Sequence, residues 1–214
     1  MKKPALIFIL ILFSTVIKAQ RGTNNFELGF TLSPNIGWLS ADSRASGGNS
    51  GVSNDGVRPG FTYGVLADLG FAPNYYFSTG FTISTINGQL DYGEAYDAAS
   101  TVYKVRYLEV PLTLKLKSRP SPSGRIYGQF GLGTGVKIGA KADIREEGTA
   151  QEENVDVSSD VNTFRLSMLA GLGMEWNING NFNLQTGVTL NNGFTKALPR
   201  TKNSYLALNI GFFF

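Results

Sequence analysis

Residues 125–138 read RIYGQFGLGTGVKI, and this stretch decides the fold. Ile126, Phe130, Leu132, Val136 and Ile138 share one parity, while Gln129, Gly131, Gly133, Gly135 and Lys137 occupy the other. Successive side chains of a β-strand point to opposite sides of the sheet, so period two marks a strand with unlike faces. The second face is the informative one. A water-facing sheet surface carries many Lys and Glu side chains, whereas small residues with an occasional charge suit the cramped polar interior of a narrow barrel. The apolar face is therefore read as pointing outward, into lipid.

The same alternation recurs on both sides of this stretch. Upstream lie Phe26 to Trp38, Phe61 to Phe71, Tyr75 to Ile83, and Leu108 to Leu116. Downstream lie Phe164 to Trp176, Phe182 to Leu190, and the terminal row Leu206, Leu208, Ile210, Phe212 and Phe214. Arg165, Ser167, Gly171, Gly173 and Glu175 interleave the sixth set; Asn183, Gln185, Gly187 and Thr189 interleave the seventh. Segments this long exceed the ~5–6 residues of an ordinary strand and match the ~9–11 that cross a bilayer at a tilt. No helical period appears. The connections at 72–74, 118–124 and 177–180 are short, whereas those at about 41–58, 91–101, 143–160 and 192–203 are long. The expected fold is all-β, an eight-stranded antiparallel transmembrane barrel, an up-and-down meander of the OmpA/OmpX kind. An even strand count puts both termini on the periplasmic side of a bacterial outer membrane.

Residues 1–19 stand apart. Lys2 and Lys3 precede an apolar run from Ala5 to Ile17, and Ala19 is a small residue at a plausible cleavage point. The run is too short to span a bilayer and reads as a secretory signal peptide, leaving 20–214 as the barrel domain. Removing Lys2, Lys3 and Lys18 from the 19 basic residues leaves as many as there are acidic ones, 16. A neutral chain offers no basic patch for nucleic acid. Only 16% of residues are charged, against ~25% in soluble domains, so something other than water solvates the surface.

His and Cys are both absent. A Ser–His mechanism then lacks its general base, and the common transition-metal ligands are missing. No enzyme activity, cofactor or metal is expected. The candidate site is instead a polar network in the lumen. Glu109, Lys115, Lys137, Arg165 and Glu175 carry charge on the inward parity of neighbouring strands, where unpaired charges are costly. They form either an ion-pair plug or the lining of a solute path. Trp38, Phe61, Tyr63, Tyr75, Phe77, Tyr103, Tyr107, Trp176, Phe182 and Phe212 lie near strand ends, where aromatic rings favour the headgroup zone. The 143–160 loop sets Asp143, Glu146, Glu147, Glu152, Glu153, Asp156 and Asp160 against Arg145 alone, without the Gly-punctuated spacing of a calcium loop. The 192–203 loop carries Lys196, Arg200 and Lys202. Ser43 to Asp55 has the Gly/Ser/Asn composition of a flexible connection.

Tyr107-Leu108-Glu109-Val110-Pro111-Leu112, followed by Thr113-Leu114-Lys115, resembles a strand of the PorT-like group of outer membrane protein beta-barrel domains. Leu206, Leu208, Ile210, Phe212 and the terminal Phe214 resemble the C-terminal signal that the barrel-insertion machinery reads. Lys18-Ala19-Gln20 is similar to the cleavage site common among such proteins. The resemblance implies a barrel in outer-membrane lipid, with no catalytic motif to carry over. Three roles stay open: a monomeric structural or interaction barrel acting through its external loops on an envelope partner, a small porin-like channel, and an accessory of protein secretion. Processing at Ala19 predicts Gln20 as the first residue of envelope-purified protein. Terminal sequencing that returned Met1 from the membrane fraction would refute it.

Overall fold

The computed structural model describes residues 26–41, 52–54, 56–92, 98–122, 124–146, 152–178, 182–198 and 201–214. The leader segment 1–19 lies outside the described residues, as does most of the 42–55 connection. Ten strands are present: β1 (Phe26–Ala41), β2 (Val52–Asn54), β3 (Arg58–Ala72), β4 (Tyr75–Tyr92), β5 (Ala98–Lys117), β6 (Arg125–Glu146), β7 (Glu152–Asp156), β8 (Phe164–Asn177), β9 (Asn183–Leu198) and β10 (Thr201–Phe213). Eight of them, all but the short β2 and β7, pair antiparallel in the order β1-β3-β4-β5-β6-β8-β9-β10. The first and last then pair with each other, from Gly29 opposite Phe213 to Ala41 opposite Thr201, and the sheet closes. The closure extends past the last strand residue, since Phe214 N–H donates to Leu28 C=O at 2.8 Å and Leu28 N–H to Phe214 C=O at 3.0 Å. β2 pairs with the end of β4, and β7 folds back on the end of β6.

The apolar parity faces out along the whole circumference. Phe30, Leu32, Phe81, Leu112, Phe130, Leu132, Leu172 and Leu208 are all exposed large hydrophobic side chains. A surface like this is stable in hydrocarbon and would be a liability in water. One end of the barrel, the turn end, is closed by tight connections. Pro73 and Asn74 join β3 to β4, with Asn74 in the left-handed region at φ 68°. Gly124 precedes β6 at φ 109°, and a Cβ there would lie 2.2 Å from the Glu175 carbonyl oxygen, which leaves glycine as the residue that fits.

At the other end, the loop end, strands run far past a bilayer's thickness. β5 has 20 residues and β6 has 22. Two loop expectations change as a result. Most of 192–203 is strand, because β9 continues to Leu198 and β10 starts at Thr201. Most of 143–160 is a β6–β7 hairpin followed by a return segment. Hydrophobic alternation stops at the lipid edge, whereas backbone pairing continues into water, so polar sequence hid these extensions.

Above the lipid-facing band the lumen turns apolar. Leu39, Ile86, Leu90, Val105, Tyr107, Ala140 and Ala142 point inward there, and Val157 and Val161 of the return segment pack onto them. In β6 the switch is made by a bulge. Tyr107 pairs with Lys137 and Arg106 with Gly139, so Ile138 is left over and the inward parity shifts from odd to even residues. Tyr107 is thus corrected from a headgroup-zone ring to an interior one, at 1% exposure, and Tyr103 packs partly buried against the same cluster. Both share the inward parity of Glu109.

Leu132 lies on the lipid face between its cross-strand partners Leu112 and Met168. Leu132→Arg is expected to cost about 2–4 kcal/mol in urea unfolding of the bilayer-inserted chain, as for a cation near the midplane. Gly133→Arg fails by a different route, since even a Cβ there meets Ser167 Oγ at 2.7 Å. Equal tolerance at the two positions would contradict the assignment of faces.

Candidate functional site

The inward parity of the strands collects charge at two levels. Nearer the turn end, Lys115 Nζ donates to Asp68 Oδ2 at 2.7 Å and to Gln185 Oε1 at 3.2 Å. Lys117 Nζ pairs with Glu175 Oε2 at 2.7 Å, with Glu27 Oε2 at 2.5 Å and with Asp68 Oδ2 at 3.5 Å. Arg125 closes the group through Glu175 Oε1, donating from Nε at 2.8 Å, and reaches Glu27 Oε1 at 3.4 Å. Aromatic faces shield the ammonium groups: Tyr127 and Phe213 lie beside Lys115, and Tyr76 beside Lys117. Asp68 is 0% exposed and Lys115 1%, so these ions depend on one another and not on water.

Farther along the lumen, Arg165 is the centre of a second node. Its Nη1 donates to Glu109 Oε1 at 2.6 Å and to Ser167 Oγ at 3.1 Å. Nη2 donates to Asn191 Oδ1 at 2.7 Å and to the Asn203 carbonyl at 3.3 Å, and Nε donates to Asn203 Oδ1 at 2.8 Å. All five donors of the guanidinium are used, which is what a buried arginine requires. Tyr107 and Tyr205 flank it, their ring centres 5.7 and 5.6 Å from Cζ. Glu109 is satisfied in the same way, its Oε2 accepting from Ser84 Oγ at 2.6 Å and from Tyr205 at 3.0 Å. Thr62 Oγ1 and Asn35 Nδ2 extend this line of hydrogen bonds to β3 and β1. Seven of the eight barrel strands thus send a side chain into one belt. The eighth, β6, contributes Gly135 as a floor, where a Cβ would come within 3.1 Å of Glu109 Cγ.

Between the two levels lies a cavity of about 80 Å³, bordered by Thr31, Ser33, Thr62, Thr82, Gln129 and Thr189 among others. Water occupies ~30 Å³ per molecule in the liquid, so the space suits two or three waters and no sugar or amino acid. The Arg165 belt and the apolar cluster lie on one side of it and the Lys115–Lys117 group on the other.

Of the five lumen residues named from sequence, the structure places Glu109 with Arg165, and Lys115 in one group with Glu175. Lys137 joins neither. Its Nζ donates to the carbonyls of Ser158 (2.5 Å) and Val161, tying the return segment across the barrel mouth. Regular register puts it opposite Tyr107, one inward position beyond the level of Glu109 and Gly135 and beside this segment. Asp68, Glu27, Lys117 and Arg125 were missed, although each sits on the polar parity of its strand. The signal was present, but single charges flanked by Phe, Leu or a turn do not stand out until register aligns them.

A closed eight-stranded antiparallel barrel with an apolar outer wall and a polar, internally paired lumen defines a transmembrane barrel of the bacterial outer membrane. The chain belongs to the outer membrane protein beta-barrel domain family, whose model matches residues 18–198. The sequence has no match among curated proteins. Among solved structures it is similar to Neisserial surface protein A, at 14% identity and a TM-score of 0.50, covering 89% of this chain and 96% of that one. It also resembles OprG from Pseudomonas aeruginosa, at 13% identity and a TM-score of 0.49, covering 88% of this chain and 95% of that one. At these identities the likeness is one of fold.

Breaking the belt from one side leaves a buried ion alone. Arg165→Met is expected to cost about 3–5 kcal/mol in reversible unfolding of the inserted chain, and Glu109→Gln in the Arg165→Met background should recover part of that loss. Strictly additive effects would show that the two groups do not act as a pair.

Proposed function

We propose that the protein is a sealed, non-catalytic outer-membrane barrel that acts as a structural or interaction element through its loop end, with the turn end and both chain termini in the periplasm. The single observation that carries this reading is the pairing of charge across the lumen at two levels. Four carboxylates, Glu27, Asp68, Glu109 and Glu175, meet four cations, Lys115, Lys117, Arg125 and Arg165, inside the lumen, while Lys137 at the mouth is held by two backbone carbonyls. A selectivity lining needs groups that exchange partners with solute, and here each is held by the wall opposite. The apolar cluster under the return segment adds a dry barrier at the loop end.

The projecting β4–β5 and β6–β7 hairpins supply the surface that an envelope partner would meet. The secretion role implied by the PorT-like resemblance would use the same hairpins, and the terminal row ending in Phe214 would serve the insertion machinery during assembly.

Planar-bilayer recording is expected to show no steady channel current from the wild type and leakage from Glu109→Ala. A large, ion-selective wild-type current would replace the sealed reading with a pore. Since the chain has no cysteine, orientation is readable by labelling. On intact cells Ser159→Cys should react with an impermeant maleimide, and Ser121→Cys only after the outer membrane is breached.

A further inference from the structure

The outward rows of side chains end differently at the two ends of the barrel. On β5 the row runs Leu116, Leu114, Leu112, Val110, Leu108 and then Arg106 and Lys104. On β9 it passes Val188, Leu190 and Phe194 to reach Lys196, and on β10 it passes Leu208 and Leu206 to reach Lys202. On β6 it continues past Ile138 to Lys141. At the turn end the rows finish in aromatic or aliphatic residues, and Arg119 is the one exposed cation among the described residues there. Cations therefore stand on the outer wall immediately beyond the apolar band at the loop end, in one patch on β5 and β6 and another on β9 and β10.

Each patch holds a pair of like-charged neighbours in register. Lys104 stands opposite Lys141, and Lys196 opposite Lys202. Like charges directly across a ladder repel and destabilise the pairing. The first pair is relieved within the chain. Asp143 bridges to Lys104 at 2.5 Å, Asp156 lies opposite Lys141 in register, and the Lys104 hydrogen bond lowers the Asp143 carboxyl from its usual range. The second pair has no such relief. Among the described residues neither Lys196 nor Lys202 forms an ion pair, and both are exposed on the outer wall. In sequence, residues 196–202 hold three cations, Lys196, Arg200 and Lys202, and no carboxylate. Trp38 and Ser40 flank the site from β1, opposite Ser204 and Lys202.

We propose that Lys196 and Lys202 form a site on the lipid-facing wall for the phosphate groups of a phosphorylated glycolipid, the lipid A of the surrounding outer leaflet. The inference rests on the proposed orientation, with the loop end at the outer leaflet. Position selects this occupant over a soluble polyanion. The two ammonium groups continue the lipid-contacting rows of β9 and β10, with Phe194 directly below Lys196, so acyl chains against that wall bring a phosphorylated headgroup to the lysines. An external phosphate supplies the countercharge that Asp143 and Asp156 supply to the other pair.

The test is the apparent affinity of the full-length, detergent-folded protein for diphosphoryl lipid A, read by native mass spectrometry beside enzymatically dephosphorylated lipid A. The wild type should prefer the phosphorylated form, and the preference should shrink as salt rises. Lys196→Gln and Lys202→Gln should each weaken binding roughly fivefold, and Lys196→Arg with Lys202→Arg should retain it. Equal wild-type binding of the two lipids overturns the proposal without any variant. So does unchanged binding by the glutamine variants, or binding of dextran sulfate in place of lipid A. None of these readouts depends on which way the barrel sits in a cell, so labelling of Ser159→Cys tests the orientation separately.

Discussion

In hydrocarbon a peptide N–H or C=O has no water to fall back on, so a sheet that enters the bilayer must leave no edge unpaired. The pairing of β1 with β10 meets that requirement, and the other features follow from it. Eight strands closed on themselves enclose a space only as wide as their own inward side chains. That space cannot hold eight rows of large residues, which is why the inward parity of β6 is so rich in glycine and why Gly135 lies flat beneath Glu109.

Closure also decides how charge is carried. Each inward cation faces a wall a few ångströms away and is surrounded by low-dielectric protein, so it is stable only with its donors filled. Arg165 fills all five, and Lys115 and Lys117 share three carboxylates between them. The same belt that satisfies these ions crosses the lumen. A mutation that breaks the belt therefore strands an ion.

Beyond the lipid edge the constraint relaxes. Water can satisfy strand edges there, so β5 and β6 extend, β7 folds back, and the inward face turns apolar as in a soluble barrel. Val157 and Val161 close that mouth from above, held by Lys137. The outward face changes at the same level, from leucine and phenylalanine to lysine and arginine.

The sequence by itself determined the class, the strand count and the two faces of the wall, because period-two alternation is local and survives without knowing what pairs with what. Glu109, Lys115, Arg165 and Glu175 were legible as inward charges for the same reason. Their full sets of partners were not. Which carboxylate meets which cation depends on register around a staggered closed sheet, and Lys137, one inward position beyond the level of Glu109, meets the return segment instead. Tyr107, read from its place near a strand end as a headgroup-zone ring, lies against a buried guanidinium, since height along a tilted strand is settled only when the barrel closes. The loop-end extensions were hidden because water-exposed β-structure has no hydrophobic alternation to betray it. Parity is written residue by residue; register, height and closure belong to the assembled sheet.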